Sequence, residues 1–195
     1  MPEQEKGEEM QTLKKNLRLE IKNRLKEADP AYLAEIDAFI CGRVMAREEF
    51  QQANCILSFA GVGRELDTRL LNETILKAGK KLCLPMITGA GTMEPRQVER
   101  LEDLLPGAYG ILSPSPTAPQ ININEIDLVI LSGMAFDQKR QRLGRGGGYY
   151  DRFLQKYSGP TIAPTRELQM TEEVPCEAWD IRPDVVITES RIISA

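Results

Sequence analysis

The stretch Cys55-Ile56-Leu57-Ser58-Phe59-Ala60, followed by Gly61-Val62-Gly63 and answered by Lys81-Leu82-Cys83-Leu84-Pro85, decides the fold. Apolar runs this short, bounded by glycine and proline, read as strands buried on both faces rather than as helix. Between them, Asp67 is placed to cap a helix from Thr68 to Ala78, and Gly79 suits its end. The order is strand, helix, strand, the unit from which parallel sheets are assembled.

Towards the N-terminus, Leu13, Leu17, Ile21 and Leu25 recur every fourth residue, the stripe of an amphipathic helix from Met10 to Ala28. Residues 1–9 are acidic and polar, and are expected as a flexible tail. Asp29-Pro30 ends the first helix and starts a second, with Leu33, Ile36, Ile40 and Val44 facing inward, reaching to about Phe50. Towards the C-terminus, Asp127-Leu128-Val129-Ile130-Leu131 is a strong buried strand. Thr161-Ile162-Ala163 and Asp184-Val185-Val186-Ile187-Thr188 are shorter ones. Ser113 to Pro119 reads as an extended loop, and Val98 to Leu105 carries no clear period. A single layered α/β domain with a largely parallel sheet is expected over residues 10–195.

Composition removes several function classes. The net charge is −4, which disfavours nucleic acid or an anionic membrane as a partner of the whole surface. No apolar run approaches the roughly 18 residues of a membrane span, and the acidic start has no apolar signal core, so a cytoplasmic protein is expected. There is no histidine, which excludes the usual hydrolase triads and histidine acid–base chemistry. The cysteines Cys41, Cys55, Cys83 and Cys176 are scattered without a C-x-x-C pair, so thiolate metal chemistry is not expected.

The chemistry concentrates in Arg142-Leu143-Gly144-Arg145-Gly146-Gly147-Gly148-Tyr149-Tyr150-Asp151-Arg152. Glycines let successive amides turn toward one anion, a following helix start adds partial positive charge, and arginines supply forked donors for phosphate oxygens. Neither G-x-x-x-x-G-K-[ST] nor G-x-G-x-x-G fits the spacing, because Tyr149 takes the last glycine position. A helix from Tyr149 to about Tyr157 should follow. On the first helix, Lys14, Arg18, Lys22 and Lys26 line one face, a basic ridge that reads as solvated charge unless a second anion-binding element faces it.

The combination of K-x-x-x-R at Lys14 to Arg18, Glu65-Leu66-Asp67-Thr68, Ala135-Phe136-Asp137 and the segment Arg142 to Asp151 resembles the 5-formyltetrahydrofolate cyclo-ligase family. The resemblance covers all but the acidic tail, and the glycine-rich segment is its specific part. It implies a three-layer α/β/α fold and an ATP- and Mg²⁺-dependent conversion of 5-formyltetrahydrofolate to 5,10-methenyltetrahydrofolate by a cytoplasmic monomer. Carried over by position, it assigns ATP to Lys14, Lys15, Asn16, Leu17 and Arg18 with Arg142, Leu143, Gly144, Arg145, Gly146, Gly147, Gly148, Tyr149 and Tyr150. It assigns the folate to Glu65 and the segment Arg145 to Tyr149, and magnesium to Asp151 and Asp184, with Asp180 as the nearby alternative. Arg145, Lys14 and Arg18 would meet the charge on the transferring phosphoryl group.

Four positions depart from the family pattern: Ser113 before Pro114, Ser132 in place of proline, Arg140 in place of glycine, and Ala163-Pro164 without an aromatic residue. They are expected to touch the folate pocket or the approach to the glycine loop. The alternative class is a nucleotide- or phosphate-binding regulatory protein that kept the cradle without folate chemistry. An RNA-binding module ranks below both.

Overall fold

The computed structural model describes residues 3–107 and 110–195. Its centre is a seven-stranded sheet in the order β11-β10-β9-β6-β1-β2-β3. The strands are β1 (Cys55–Leu57), β2 (Lys81–Gly89), β3 (Thr92–Val98), β6 (Leu128–Ile130), β9 (Thr161–Pro164), β10 (Val185–Ile187) and β11 (Ile192–Ser194). β1, β2, β6, β9 and β10 run parallel, while β3 and β11 close the two edges antiparallel. Two short hairpins, β4 (Leu105–Pro106) with β5 (Leu112–Ser113) and β7 (Ala135–Phe136) with β8 (Arg142–Leu143), stand apart from this sheet.

Side-chain alternation makes the layers. Ile56, Leu82, Leu84, Leu128 and Ile130 pack against Ile40, Val44, Phe50, Leu71 and Ile75 of the helices α2 (Pro30–Met45), α3 (Glu48–Gln52) and α4 (Arg69–Lys77). Their strand neighbours Leu57, Cys83 and Val129 face the other way, onto Phe153 and Leu154 of α5 (Tyr149–Leu154). The period of two is that of a pleated strand buried on both faces. Asp29 Oδ1 accepts the Ala31 amide at 2.8 Å and caps α2, whereas α4 starts one residue later than expected: Thr68 takes the cap position without a side-chain bond, and Asp67 just before it accepts the Arg69 amide at 2.9 Å.

The helix α1 (Glu3–Glu27) begins seven positions before Met10. The acidic stretch from Glu3 is therefore helix and not a flexible tail; Met1 and Pro2 lie outside the described residues. Leu17, Ile21 and Leu25 are buried against Ala135, Leu143 and Val174, so α1 packs on the β7–β8 hairpin. Leu13 of the same stripe is exposed. The second helix also ends earlier than its apolar period suggests: α2 stops at Met45 and α3 restarts after a break, with Phe50 buried. α5 covers six residues and stops at Leu154 rather than Tyr157.

Arg140 has φ +61°, the left-handed region that costs a residue with a Cβ about 1–2 kcal/mol. It is the last loop residue of the β7–β8 hairpin, where Asp137 Oδ1 accepts the amides of Lys139 and Gln141 at 2.8 and 2.9 Å. Three-residue hairpin loops place glycine at that position for this reason. The Arg140 side chain compensates by donating to the carbonyls of Pro183 and Asp184 at 2.9 and 3.2 Å.

The chain order creates a crevice. From β1 the chain passes by α4 to β2 on one side, whereas β6, on the other side of β1, leads to β9 further out. In open α/β sheets ligands settle where the order reverses, beyond the carboxyl ends of the strands. Here that point lies above β1 and β6.

Candidate active site

A cavity of about 850 Å³ opens at this crevice, with Phe59 and Ala60 following β1 and Ser132 and Gly133 following β6 in its wall. The glycine-rich loop crosses it. Gly146 and Gly148 have φ of +105° and +64°, conformations that only glycine adopts freely. At Gly147 a Cβ would collide with the Tyr149 ring. The backbone amides from Arg145 to Asp151 donate to no acceptor among the described residues. A run of unpaired amides in a cavity wall is a set of donors waiting for an anion or for water.

The loop is bonded on both sides. On one, Arg18 Nε donates to the Gly144 carbonyl at 2.8 Å, and its guanidinium lies beside Gly146. On the other, Arg145 Nε donates to Glu65 Oε1 at 2.6 Å, while Glu65 Oε2 accepts the Val62 amide at 3.0 Å. Among the described residues neither arginine uses its terminal NH₂ groups in a bond, so guanidinium donors remain at both bonded points of the loop. Burial lowers the Arg18 pKa and Asp180 opposes this in part, which leaves the guanidinium charged.

Beneath the loop, Arg142 is buried with its NH₂ 2.6 Å from Asp151 Oδ1 and its ring-stacked face over Tyr150 at 5.7 Å. The Ile181 amide also donates to Asp151 Oδ1, at 3.2 Å. Asp151 Oδ2 has no partner among the described residues. The Tyr150 hydroxyl is buried with no hydrogen-bond partner among the described residues, and burial pushes its pKa up, so this cavity-lining tyrosine stays neutral.

Lys14 is 5% exposed, and its ammonium lies 2.7 Å from Glu177 Oε2 and 2.5 Å from Asp180 Oδ2. Burial alone would lower its pKa, but the two carboxylates outweigh that and hold it above the ordinary lysine value. The ammonium therefore fastens the segment around Asp180 to α1.

The remaining wall is apolar and includes Pro85, Ile87, Met93 and Leu112 from β2, β3 and β5. The cavity thus has a cationic, amide-rich side and an apolar side, with Glu65 where they meet. Such a shape suits a polyanion next to a flat organic ring system.

The model of the 5-formyltetrahydrofolate cyclo-ligase family matches residues 10–189 of this chain. The chain belongs to the 5-formyltetrahydrofolate cyclo-ligase family. A relative of that name from Escherichia coli K12 is 29% identical over 178 residues, covering 88% of this chain and 98% of its own. One from Mycolicibacterium smegmatis is 31% identical, covering 72% and 76% respectively. The NMR structure of Aquifex aeolicus 5,10-methenyltetrahydrofolate synthetase shares the fold with a TM-score of 0.83 at 28% identity, covering 93% of this chain and 92% of its own.

Set against the family's expected site, the glycine loop, Arg18, Lys14, Glu65, Arg142 and Asp151 come together in the cavity. Lys15 and Asn16 do not: they point away on the exposed side of α1, and Leu17 is buried in the contact with the β7–β8 hairpin. At 100° per residue, adjacent helix positions cannot share one narrow face.

Asp184 is also absent from the cavity. It precedes β10, at the amino ends of the parallel strands, opposite the crevice. Its Oδ2 accepts the Thr161 amide at 2.8 Å and the Thr161 hydroxyl at 2.7 Å, which ties the start of β10 to β9. Asp180, the alternative, does line the cavity. Asp184→Ala should therefore destabilise the fold by about 1–3 kcal/mol and leave the magnesium dependence of activity unchanged. Thermal melts and a metal titration check this. A selective loss of metal affinity in that variant would return Asp184 to the site.

Among the four departures, Ser132 alone stands in the cavity wall. Arg140 closes the hairpin turn, Ser113 lies in β5, and Pro164 ends β9. Three of the four departures thus lie outside the cavity lining. The sequence reading also missed Glu177 and Trp179, whose place in the wall depends on the ion pairs to Lys14.

Among the described residues, no three acidic, cysteine or histidine side chains gather as a dedicated metal site. No helix there is long and apolar enough to cross a membrane.

Proposed function

We propose that this chain converts 5-formyltetrahydrofolate and ATP to 5,10-methenyltetrahydrofolate, ADP and phosphate in this cavity. The observation that carries the reading is the run of unpaired amides from Arg145 to Asp151, flanked by the free guanidinium donors of Arg18 and Arg145 and facing an apolar wall. It is a polyphosphate cradle beside a ring-binding surface.

The residues act mainly by position. On this reading the loop amides and Arg18 orient the triphosphate, and Arg145 meets the charge that develops between the formyl oxygen and the γ-phosphorus; its bond to Glu65 supports that role by joining the loop to the proposed pterin contact. The formyl oxygen attacks that phosphorus and ADP leaves. The resulting N5-iminium phosphate is a strong electrophile, N10 closes the ring on its carbon, and phosphate departs with the former formyl oxygen and takes up the proton that N10 loses. Fixed cationic donors stabilise charge as it spreads over the transferring group, so no histidine is needed. The apolar wall keeps water from the activated carbon. Glu65 is placed to accept from the polar edge of the pterin.

Magnesium fits as a phosphate-bound ion held by few protein oxygens, with the free Oδ2 of Asp151 and the cavity-facing Asp180 as the candidates. It would neutralise phosphate charge. The protein groups listed above hold and orient the reactants.

The test is a steady-state assay on the purified chain that follows the methenyl chromophore. Product that requires both ATP and magnesium, with one ADP formed per methenyl group, is the expected result. ADP release without folate dependence would contradict the reading.

A further inference from the structure

We propose that Trp179 is the surface on which the base of the nucleotide co-substrate stacks, which makes it a specificity residue of the cavity. The proposal rests on the ATP reading above. Trp179 is the chain's single tryptophan, is 60% exposed, and lines the cavity. An indole left open in a cavity wall offers a large, rigid apolar face, and a purine ring is a natural partner for it.

The setting of this side chain is built. The Asp180 amide donates to the Glu177 carbonyl at 3.0 Å, closing a turn with Trp179 as its third residue. Asp180 Oδ2 accepts the Glu177 amide at 2.8 Å, and both carboxylates of the turn hold Lys14 of α1. The next amide, of Ile181, donates to Asp151 at the start of α5. The turn is thus fastened to both elements that flank the cradle, and the indole is presented from a fixed backbone.

Charge indicates which part of the ligand comes to the indole. Lys14 with Glu177 and Asp180 carries a net charge of −1, so the turn meets phosphate only through a cation, and the indole beside it is left to an uncharged group. Among the described residues, uncommitted guanidinium donors belong to Arg18, Arg145 and Arg152, on or against the loop. Along α1, Arg18 and the cavity-lining Gln11 are seven residues apart, about 10 Å of helix, which separates a phosphate end from a base end. The Gln11 amide, one turn before Lys14, offers the paired donor and acceptor that an adenine edge requires. Glu65 is bonded to the loop through Arg145, and the apolar wall comes from β2, β3 and β5, separate elements that are left to the folate.

The test uses the intact chain, whose tryptophan emission reports this position alone. Calorimetry and emission are followed together during titration with Mg-ADP, and with Mg-tripolyphosphate as a probe that lacks the base. ADP should bind and change the emission, whereas tripolyphosphate should bind without changing it. Trp179→Ala should raise the KM for ATP about tenfold, the order expected for losing one base–aromatic stack, with the folate KM unchanged. Trp179→Phe should recover most of the loss. ADP binding with unaltered emission, together with a wild-type ATP KM in Trp179→Ala, overturns the proposal. So does a rise confined to the folate KM, which would give the indole to the folate. Failure of the wild-type chain to bind ADP at all would remove the ATP reading itself and this proposal with it.

Discussion

Arg145→Ala lowers kcat by about 10²- to 10³-fold while leaving the melting temperature close to that of the wild type. The arginine side chain is 46% exposed, and its one ion pair is with Glu65 at 2.6 Å. Pairs this open contribute about 0–1 kcal/mol to folding. On the proposed mechanism its weight in catalysis is of another kind, because a fixed cation at the point where charge develops acts on the transition state more than on the bound substrates. The loss should therefore appear in kcat, with the KM values shifting less. Arg145→Lys keeps the charge without the fork and should recover only part of the rate. An Arg145→Ala enzyme that turns over normally would remove this residue from the reaction.

Asp37→Ala has the opposite signature, a loss of about 3–5 kcal/mol of stability, because it strands a buried guanidinium. Arg166 is 2% exposed and meets Asp37 through two bonds of 2.6 Å. Its other donors go to the carbonyls of Arg64 and Glu65, at 2.8 and 3.0 Å, and Asp37 also accepts the Asp67 amide at 2.8 Å. The pair thereby anchors the loop that carries Glu65. A loss of this size is a large share of the 5–15 kcal/mol typical of a whole domain. Denaturant melts measure it, and a change below about 1 kcal/mol would show that the pair is not an anchor. In the fraction that stays folded, the folate KM should rise, because Glu65 loses its support. Replacing both partners together, Asp37→Leu with Arg166→Met, should restore much of the stability without restoring the folate KM.

The two variants separate chemistry from scaffold, and they also mark what a linear reading can reach. β1, α4, β2 and β6 are legible because their signals are local: continuous apolar runs, Asp67 at a helix start, Gly79 at its end. The glycine loop is legible because a function that needs bare backbone amides requires glycine at successive positions. β3 is not, since its residues include Glu94, Pro95, Arg96 and Gln97, and an edge strand has no need of alternating apolar residues. Pairing with β2, and with residues 119–121 on its other side, creates it.

The site's ion pairs were hidden for a related reason. Lys14 lies 163 and 166 positions from its carboxylates, and Arg166 lies 129 positions from Asp37. Spacing along a helix shows that Lys14 and Arg18 share a face, but not that one is saturated by acids while the other keeps free donors. Asp184 was misplaced because a carboxylate before a strand has the same local sequence whether it binds an ion or a neighbouring strand's amide. Its position at the amino ends of the strands follows only from the direction in which β9 and β10 run. Arg140 shows the converse case, where a departure from glycine is absorbed by bonds to Pro183 and Asp184 that are 43 and 44 residues away.

The central claim is that the formyl oxygen is phosphorylated in this cavity before the ring closes. It is tested most directly by carrying out a single turnover with 5-formyltetrahydrofolate labelled with ¹⁸O in the formyl group and analysing the released phosphate by mass spectrometry. The account predicts one labelled oxygen in each phosphate formed. Unlabelled phosphate alongside methenyl product would mean that the formyl oxygen never reaches phosphorus, and would contradict the mechanism assigned to Arg18, Arg145 and the glycine-rich loop.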